Sequence, residues 1–409
     1  MSNKWKEFVE CILDLELSIK DRNRDSMTSS DYIVAAQICM DTGFVRHMGK
    51  LVPEIENVSD LAAKIRHIKS AIDNDGRVYA LRFDKTDGPE NLKAAIFGGL
   101  LVRSILSGKL TADRIPILVD AGNMNSGMAI RYFCEKLGLK GTYIMSRYFP
   151  LDMRENLMSD SLQVITAPPK TDLSLEREFY KYLVSYLRKE GKGRNLFSPF
   201  HAKHGLKMGA AFGLIMQSQL KGIIDVDPKI NSVDSCVSVI GSGASYSWLM
   251  NISKKYAPRM VVPEIDCSPV YVNRVPKCIS RSKVHSKGDH GEKFNVPEIR
   301  RPPDKRITSP ILGPHFEEAN PFAHELDNTI SNVITYSDSE WVKASNLLYA
   351  DGIRLGNSSV VNLMIASAEM DKNNLILTAI YEPDRWYYRK TNQEACLDDS
   401  VNTYGHLSC

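Results

Sequence analysis

Thr86-Asp87-Gly88-Pro89-Glu90-Asn91-Leu92-Lys93-Ala94-Ala95-Ile96-Phe97 is the stretch on which the reading of this chain turns. A strand-like run, Val78-Tyr79-Ala80-Leu81-Arg82-Phe83, leads into it. Asp87-Gly88-Pro89 is a turn signal, and an apolar, alanine-rich helical pattern begins around Asn91. Lys93 therefore falls in the first turn of a helix whose next residues, Ala94 to Val102, are nearly all apolar and small or aliphatic. Such a helix is expected to be buried. A lysine at its mouth either snorkels to solvent or is a desolvated amine of lowered basicity, the kind that condenses with a carbonyl group. The stretch alone leaves both readings open.

Moving outward, the chain alternates strands and helices. Ile115-Pro116-Ile117-Leu118-Val119 reads as a strand closed by Asp120. A polar loop, Ala121-Gly122-Asn123-Met124-Asn125-Ser126-Gly127, follows, then a helix from Met128 to about Leu137 and a strand at Gly141–Met145. Ligands of open α/β sheets bind at loops of this kind, beyond the carboxyl ends of strands, although Gly, Asn and Ser also make ordinary helix-capping turns. A second unit runs from a buried strand, Ser235 to Ile240, through Gly241-Ser242-Gly243-Ala244-Ser245-Tyr246-Ser247 to a helix at Trp248 and a strand at Met260–Ile265. Small residues there let backbone amides converge at a helix N-terminus and cradle an anion, with Ser242 and Ser245 adding hydroxyls. A tight strand-to-helix turn is the plainer reading. The pattern is neither Gly-x-Gly-x-x-Gly nor a P-loop, which disfavours a dinucleotide or ATP. A third loop, Gly352 to Ser359, precedes an apolar helix at Val360–Met370 and the last core strand, Leu375–Tyr381. The alternation implies an α/β fold with mostly parallel sheets.

Length and composition bound the rest. The chain has 409 residues, enough for two domains, with 43% hydrophobic and 25% charged residues, a globular balance. A net charge of +3 gives no reason to expect nucleic acid as a partner. No apolar run approaches the ~18 residues of a membrane span, and the N-terminus lacks the apolar core of a signal peptide. The eight cysteines form no Cys-x-x-Cys pair, so reduced thiols and a cytoplasmic location are expected. Trp5, Phe8, Val9, Ile12, Leu13 and Leu17 mark an amphipathic N-terminal helix that packs on the body or on a second subunit. Another helix is expected from residue 58 to 73, with Ser59 as its N-cap. His201 and His204 lie in a loop, Leu196 to Gly205, ahead of an apolar helix at Met208–Leu220. They lack an accompanying carboxylate or thiol at a metal-motif spacing, so no metal site is expected. Residues 279–306 hold eight Lys or Arg against four Asp or Glu and read as a basic surface loop or a lid.

Taken in order, one lysine and three loops resemble the tryptophan-synthase-β or cysteine-synthase type of pyridoxal-phosphate enzyme, fold type II. The family's Ser-x-Lys at a helix start corresponds to Asn91-Leu92-Lys93. Its Glu-Ala-Thr-Ser-Gly-Asn-Thr-Gly loop aligns without a gap with Asp120-Ala121-Gly122-Asn123-Met124-Asn125-Ser126-Gly127. Its Gly-Thr-Gly-Gly-Thr phosphate loop corresponds to Gly241-Ser242-Gly243-Ala244-Ser245, and its Gly-Ile-Ser-Ser-Gly-Ala segment to Gly356-Asn357-Ser358-Ser359-Val360-Val361. The resemblance spans residues 42 to 386 and implies pyridoxal 5'-phosphate as cofactor. Lys93 would hold it as a Schiff base and act as the catalytic base. Asn125 would bond the ring oxygen, Gly241 to Ser245 the phosphate, and Ser358 the pyridine nitrogen.

The same resemblance implies two domains, each a mostly parallel twisted sheet flanked by helices. The expected division is an N-terminal helical extension at 1–40, a large cofactor-binding domain at 41–87 plus 206–390, and a small substrate-side domain at 88–205. The basic loop at 279–306 is an insertion and 391–409 a polar tail. The family's Thr-Ser-Gly, which binds substrate carboxylate, is Gly122-Asn123-Met124 here, so the substrate pocket, with Ser126 and His201 beside it, is expected to be reshaped. The implied activity is β-elimination and β-replacement on serine, O-acetylserine or O-phosphoserine through an aminoacrylate, with a second nucleophile as co-substrate, in a specialised cysteine synthase-like homodimer. The alternatives are a dehydratase, desulfhydrase or racemase on the same cofactor, or a binding protein that has kept the fold without the catalysis.

Overall fold

The computed structural model describes residues 3–22, 30–65, 77–145, 151–166, 176–226, 232–265, 324–370 and 375–382. The basic loop at 279–306 and the tail at 391–409 lie outside them. Among the described residues ten strands form two sheets. The larger has six strands in the order β1 (Ile55–Asn57), β2 (Arg77–Arg82), β10 (Leu375–Ile380), β7 (Ser235–Val237), β8 (Arg259–Ile265) and β9 (Asn332–Tyr336). All its neighbours run parallel except the edge strand β1. The smaller sheet is wholly parallel, in the order β5 (Leu162–Thr166), β4 (Lys140–Met145), β3 (Ile117–Ala121) and β6 (Leu196–Phe197). Parallel strands are covered on both faces, which is why β10, Leu-Ile-Leu-Thr-Ala-Ile, carries no polar alternation and buries every side chain.

The chain passes from the larger sheet to the smaller and back. Outbound, β2 leads through a turn into the helix Leu92–Leu106 and then β3; inbound, β6 leads into the helix His201–Ile215 and, later, β7. These two helices pack against each other. The first buries residues on every side, among them Ala94, Ile96, Phe97, Leu101 and Val102, as its uniform apolarity requires. The second presents Gly205, Gly209 and Gly213, spaced one turn apart, to the helix Ala244–Ile252. A Cβ added at Gly209 would overlap the Ala244 carbonyl oxygen, and one at Gly213 would overlap that of Trp248. The contact is thus backbone against side-chain-free helix face. Phe212 stacks on Trp248 beside it, centroids 4.5 Å apart, and Phe83 meets the same indole edge-on.

The N-terminal helix, Asn3–Arg22, packs on this body through Trp5, Phe8, Val9 and Ile12, and the Trp5 indole donates to the Thr111 carbonyl at 3.0 Å. Its Leu13 and Leu17 remain 41% and 62% exposed.

Helix starts depart from the sequence reading in one direction. The helix expected from Met128 begins at Met124, the one expected from Met208 begins at His201, and those at Trp248 and Val360 begin at Ala244 and Asn357. First-turn amides have no intrahelical acceptors, so polar and small residues are at home there and look like loop in a hydropathy pattern. Ser59 is also not the cap expected of it. The Asn57 carboxamide accepts the Ser59 amide at 2.9 Å, and the Ser59 hydroxyl instead accepts the Val78 amide of β2.

Candidate active site

Four helix N-termini point the residues of interest at one place. Asn91 caps the helix Leu92–Leu106 by accepting the Ala94 amide at 3.1 Å, which sets Lys93 as its second residue. Where the resemblance has serine, this asparagine does a second job: its carboxamide nitrogen donates to the Asn125 carbonyl at 3.4 Å. The lysine and Asn125 segments are thereby tied together.

The Lys93 ammonium reaches the Ser242 hydroxyl at 2.8 Å, although the two residues lie on different units of the chain. Ser242 belongs to the turn between β7 and the helix Ala244–Ile252, whose N-cap is Gly243 at φ +76°. Ala244 and Ser245 form that helix's first turn and are buried. Ser245 is anchored below the turn, its hydroxyl 3.1 Å from Ser238 and 3.0 Å from the Tyr381 hydroxyl. Gly241 and Ser242 are half-buried on the open side.

On the smaller sheet, Asp120 ends β3 and Asn123 caps the helix Met124–Leu137, accepting from the Ser126 amide and hydroxyl. Gly122 has φ +151°, and a Cβ there would lie 2.9 Å from the Tyr143 hydroxyl and 3.0 Å from Ser126 Oγ, so only glycine fits. His201 lies against the same glycine and stacks obliquely on Phe97. Asp120, which the sequence reading left unused, grips His201 twice, accepting from its amide at 3.2 Å and pairing with ring Nδ1 at 3.1 Å. Burial lowers the His201 pKa while Asp120 opposes that. Met124 and Ser126, expected at the substrate, are buried under this loop. Among the described residues no group of three or more potential metal ligands occurs.

Ser358 is the second residue of the helix Asn357–Glu369 and is half-buried. A further group was not anticipated: Glu382, just beyond β10, is 1% exposed. Its carboxyl hydrogen-bonds the Asn125 side chain, feels the Lys93 charge, and is pushed up to about 8 by burial and by Asp84, against Lys93 and Asn125. Asp84 is itself paired with Arg82 through two contacts at 2.8 and 2.6 Å. Lys93, Asn125, Ser242, Glu382, and the Gly122 loop with His201 thus make one site at the junction of the sheets. Asp120 and His201 lie 81 residues apart in the chain, and Glu382 is farther still from both, which is why no local pattern could pair them or bring in Glu382.

No protein-family model matches the chain, and no curated protein matches it by sequence. Solved structures do match. An O-acetylserine-dependent cystathionine β-synthase from Helicobacter pylori is similar at TM-score 0.57 and 17% identity, over 78% of this chain and 91% of that one. An O-ureido-L-serine synthase aligns at TM-score 0.60 and 12% identity, over 86% and 98%. A hydrogen sulfide-producing enzyme from Fusobacterium nucleatum aligns at TM-score 0.54 and 15% identity, over 77% and 91%. The chain therefore has the two-domain architecture of fold type II pyridoxal-phosphate enzymes, the fold that its sequence resemblance implied.

Proposed function

We propose that this chain is a pyridoxal 5'-phosphate enzyme that eliminates, and then replaces, the β-substituent of serine, O-acetylserine, O-phosphoserine or a close relative. The observation that carries the reading is the 2.8 Å contact between Lys93 and Ser242, an amine held at the edge of an anion cradle. The donor set fits the cofactor. It offers an amine for the aldehyde, a glycine- and serine-lined helix N-terminus for a phosphate dianion, and the Asn125 amide for the ring oxygen. Bound there, the cofactor supplies an electron sink for the α-carbon of an amino acid.

The protein's own residues do the rest. Lys93 Nζ would hold the cofactor and would serve as the base for the substrate's α-proton. The Gly241, Gly243, Ala244 and Ser245 amides and the Ser242 hydroxyl hold the phosphate, and the helix dipole favours its charge. Gly122 and Asn123 form the turn that would take the substrate carboxylate, with Met124 and Ser126 buried beneath it. Asp120 holds the His201 ring through Nδ1, and burial lowers the histidine's pKa while Asp120 opposes that. Homodimerisation and a cytoplasmic location remain part of the proposal; no described helix is long and apolar enough to cross a membrane.

The test is direct. Purified protein given cofactor should turn yellow, and Lys93→Ala should lose the lysine-bound absorbance and the activity together. A wild-type protein that stays colourless would sink the reading. Incubating it with O-acetylserine, with and without a thiol nucleophile, separates replacement from simple elimination: keto acid and ammonia at full rate without the thiol mean the reaction stops at elimination.

A further inference from the structure

A cleft of about 500 Å³ opens beside the candidate active site, within the size range of small-molecule sites. Five cationic side chains line it: Arg103, Lys109, Arg188, Lys192 and Arg194. They come from distant parts of the chain. Arg103 stands near the end of the helix Leu92–Leu106 and Lys109 just past it, while Arg188 ends the helix Glu176–Glu190 and the other two follow in the next turn. Gathering like charges around one cavity costs free energy that a bound anion returns. The apolar part of the lining includes Leu100, Leu196, Phe197 and Phe200. One cation is held in place: the Arg103 guanidinium lies 4.2 Å over the Tyr32 ring, whose hydroxyl is 3.0 Å from His204 Nδ1 at the cleft wall. Arg103 also lies 3.9 Å from Asp31, an exposed carboxylate. The field at the wall is positive even so, because His204 is pushed down to about 4 by burial and by Lys203, Arg103, Lys109 and Lys207.

Independently of the cofactor reading, we infer that this cleft is a second ligand site and that it takes a diphosphate ester, two linked phosphates on an apolar body. A single phosphate brings about two negative charges, too few for five cations; two linked phosphates come closer. The three arginines suit them, since a guanidinium fork bonds two phosphate oxygens at once. An inorganic anion would leave Phe197, Phe200 and the two leucines wet, whereas an ester's body covers them. The cleft also reaches the candidate active site through one link of the chain. Phe200 lines the cleft, and the next residue is His201, held by Asp120. Phe200 adopts the left-handed conformation at φ +51° and ψ +54°, unusual for a bulky residue, with its amide donating to the Ser198 hydroxyl at 3.2 Å. A ligand packed on Phe200 therefore bears on the backbone unit that sets His201.

The test measures binding to the full chain by calorimetry in about 0.15 M salt, where charges outside the cleft are largely screened. The probes are ADP and isopentenyl diphosphate, with an aromatic and an aliphatic body, against inorganic pyrophosphate. At least one ester should bind once per chain and about tenfold or more tighter than pyrophosphate. Arg188→Ala combined with Arg194→Ala, both at exposed positions, should weaken that ester roughly ten- to a hundredfold. Lys203→Ala combined with Lys207→Ala removes equal charge outside the lining and should change binding by less than about threefold. In wild type alone, the bound ester should shift the His201 ring signals by NMR. Failure of both esters to bind below about 1 mM, pyrophosphate binding as tightly as either, or equal losses in the two double variants overturns the site. Binding that survives the arginine substitutions but is lost in Ser242→Ala puts the ester in the Gly241–Ser245 cradle and overturns it as well. An unmoved His201 signal overturns the link to the candidate active site.

Discussion

The cofactor-free protein should become less stable as pH rises, and Glu382→Gln should abolish that trend. The Glu382 carboxyl stands at about 8 in the folded chain against an ordinary 4.5. Between those values the folded state retains a proton that the unfolded state has released, so stability falls with rising pH from about 4.5 and levels off above about 8. Below 4.5 both states are protonated and the residue costs nothing on this account. At about 1.36 kcal/mol per unit, the gap amounts to roughly 5 kcal/mol once the group is fully ionised, an upper bound because water entry and local relaxation shield a buried charge. Glutamine keeps the shape and a hydrogen bond to Asn125 without the titration. Urea unfolding of wild type and variant at steps from pH 5 to 9 reads the effect: the two curves should nearly coincide at pH 5 and separate by several kcal/mol at pH 9, with the variant the more stable. Curves that run parallel over the whole range would refute both the burial of this carboxyl and the reasoning built on it.

Other parts of the structure carry their own tests. Asp120→Asn removes the charge that orients His201 and should lower kcat by about 10-fold to 100-fold with intact cofactor absorbance; an altered His201 ring signal by NMR would show that the effect runs through the histidine. Gly209→Ala drives a Cβ into the Ala244 carbonyl and should destabilise the chain by about 1–3 kcal/mol, seen as a lower melting temperature and weaker cofactor retention. The Cys134 and Cys236 thiols are pushed up to about 12 by burial, which leaves a thiolate fraction on the order of 10⁻⁵ at pH 7. A thiol reagent should therefore label both only at the rate of unfolding.

Much of the fold could be read from the chain. Lys93 announced itself because a charged residue at the head of an otherwise apolar helix breaks a pattern. The Gly241–Ser245 turn did so because small residues crowd between a strand and a helix. What the pattern hid were first turns: Met124 to Gly127, His201 to His204 and Asn357 to Ser359 looked like loops because unbonded amides welcome polar neighbours there. It also hid every pairing made across the junction of the sheets. Asp120 looked like a strand terminator, and nothing near it in the chain predicts a histidine on its carboxylate. Glu382 follows an apolar strand as an ordinary solvent-side acid would; only the fold, by laying β10 in the middle of its sheet, encloses it.

The glycine face of the helix His201–Ile215 has a kinematic result. With no side-chain layer between it and the cradle helix Ala244–Ile252, the two have nothing to slide on and must travel as one piece. His201 follows a strand of the smaller sheet in the chain, yet it rides with the larger. It holds the smaller sheet through the Asp120 carboxylate, and it lies against Gly122 at the end of β3. Any swing of one sheet against the other, whether cleft closing over a substrate or opening to release it, therefore acts on that pair of bonds. The Asp120–His201 contact is the joint of the molecule as well as a piece of its pocket wall.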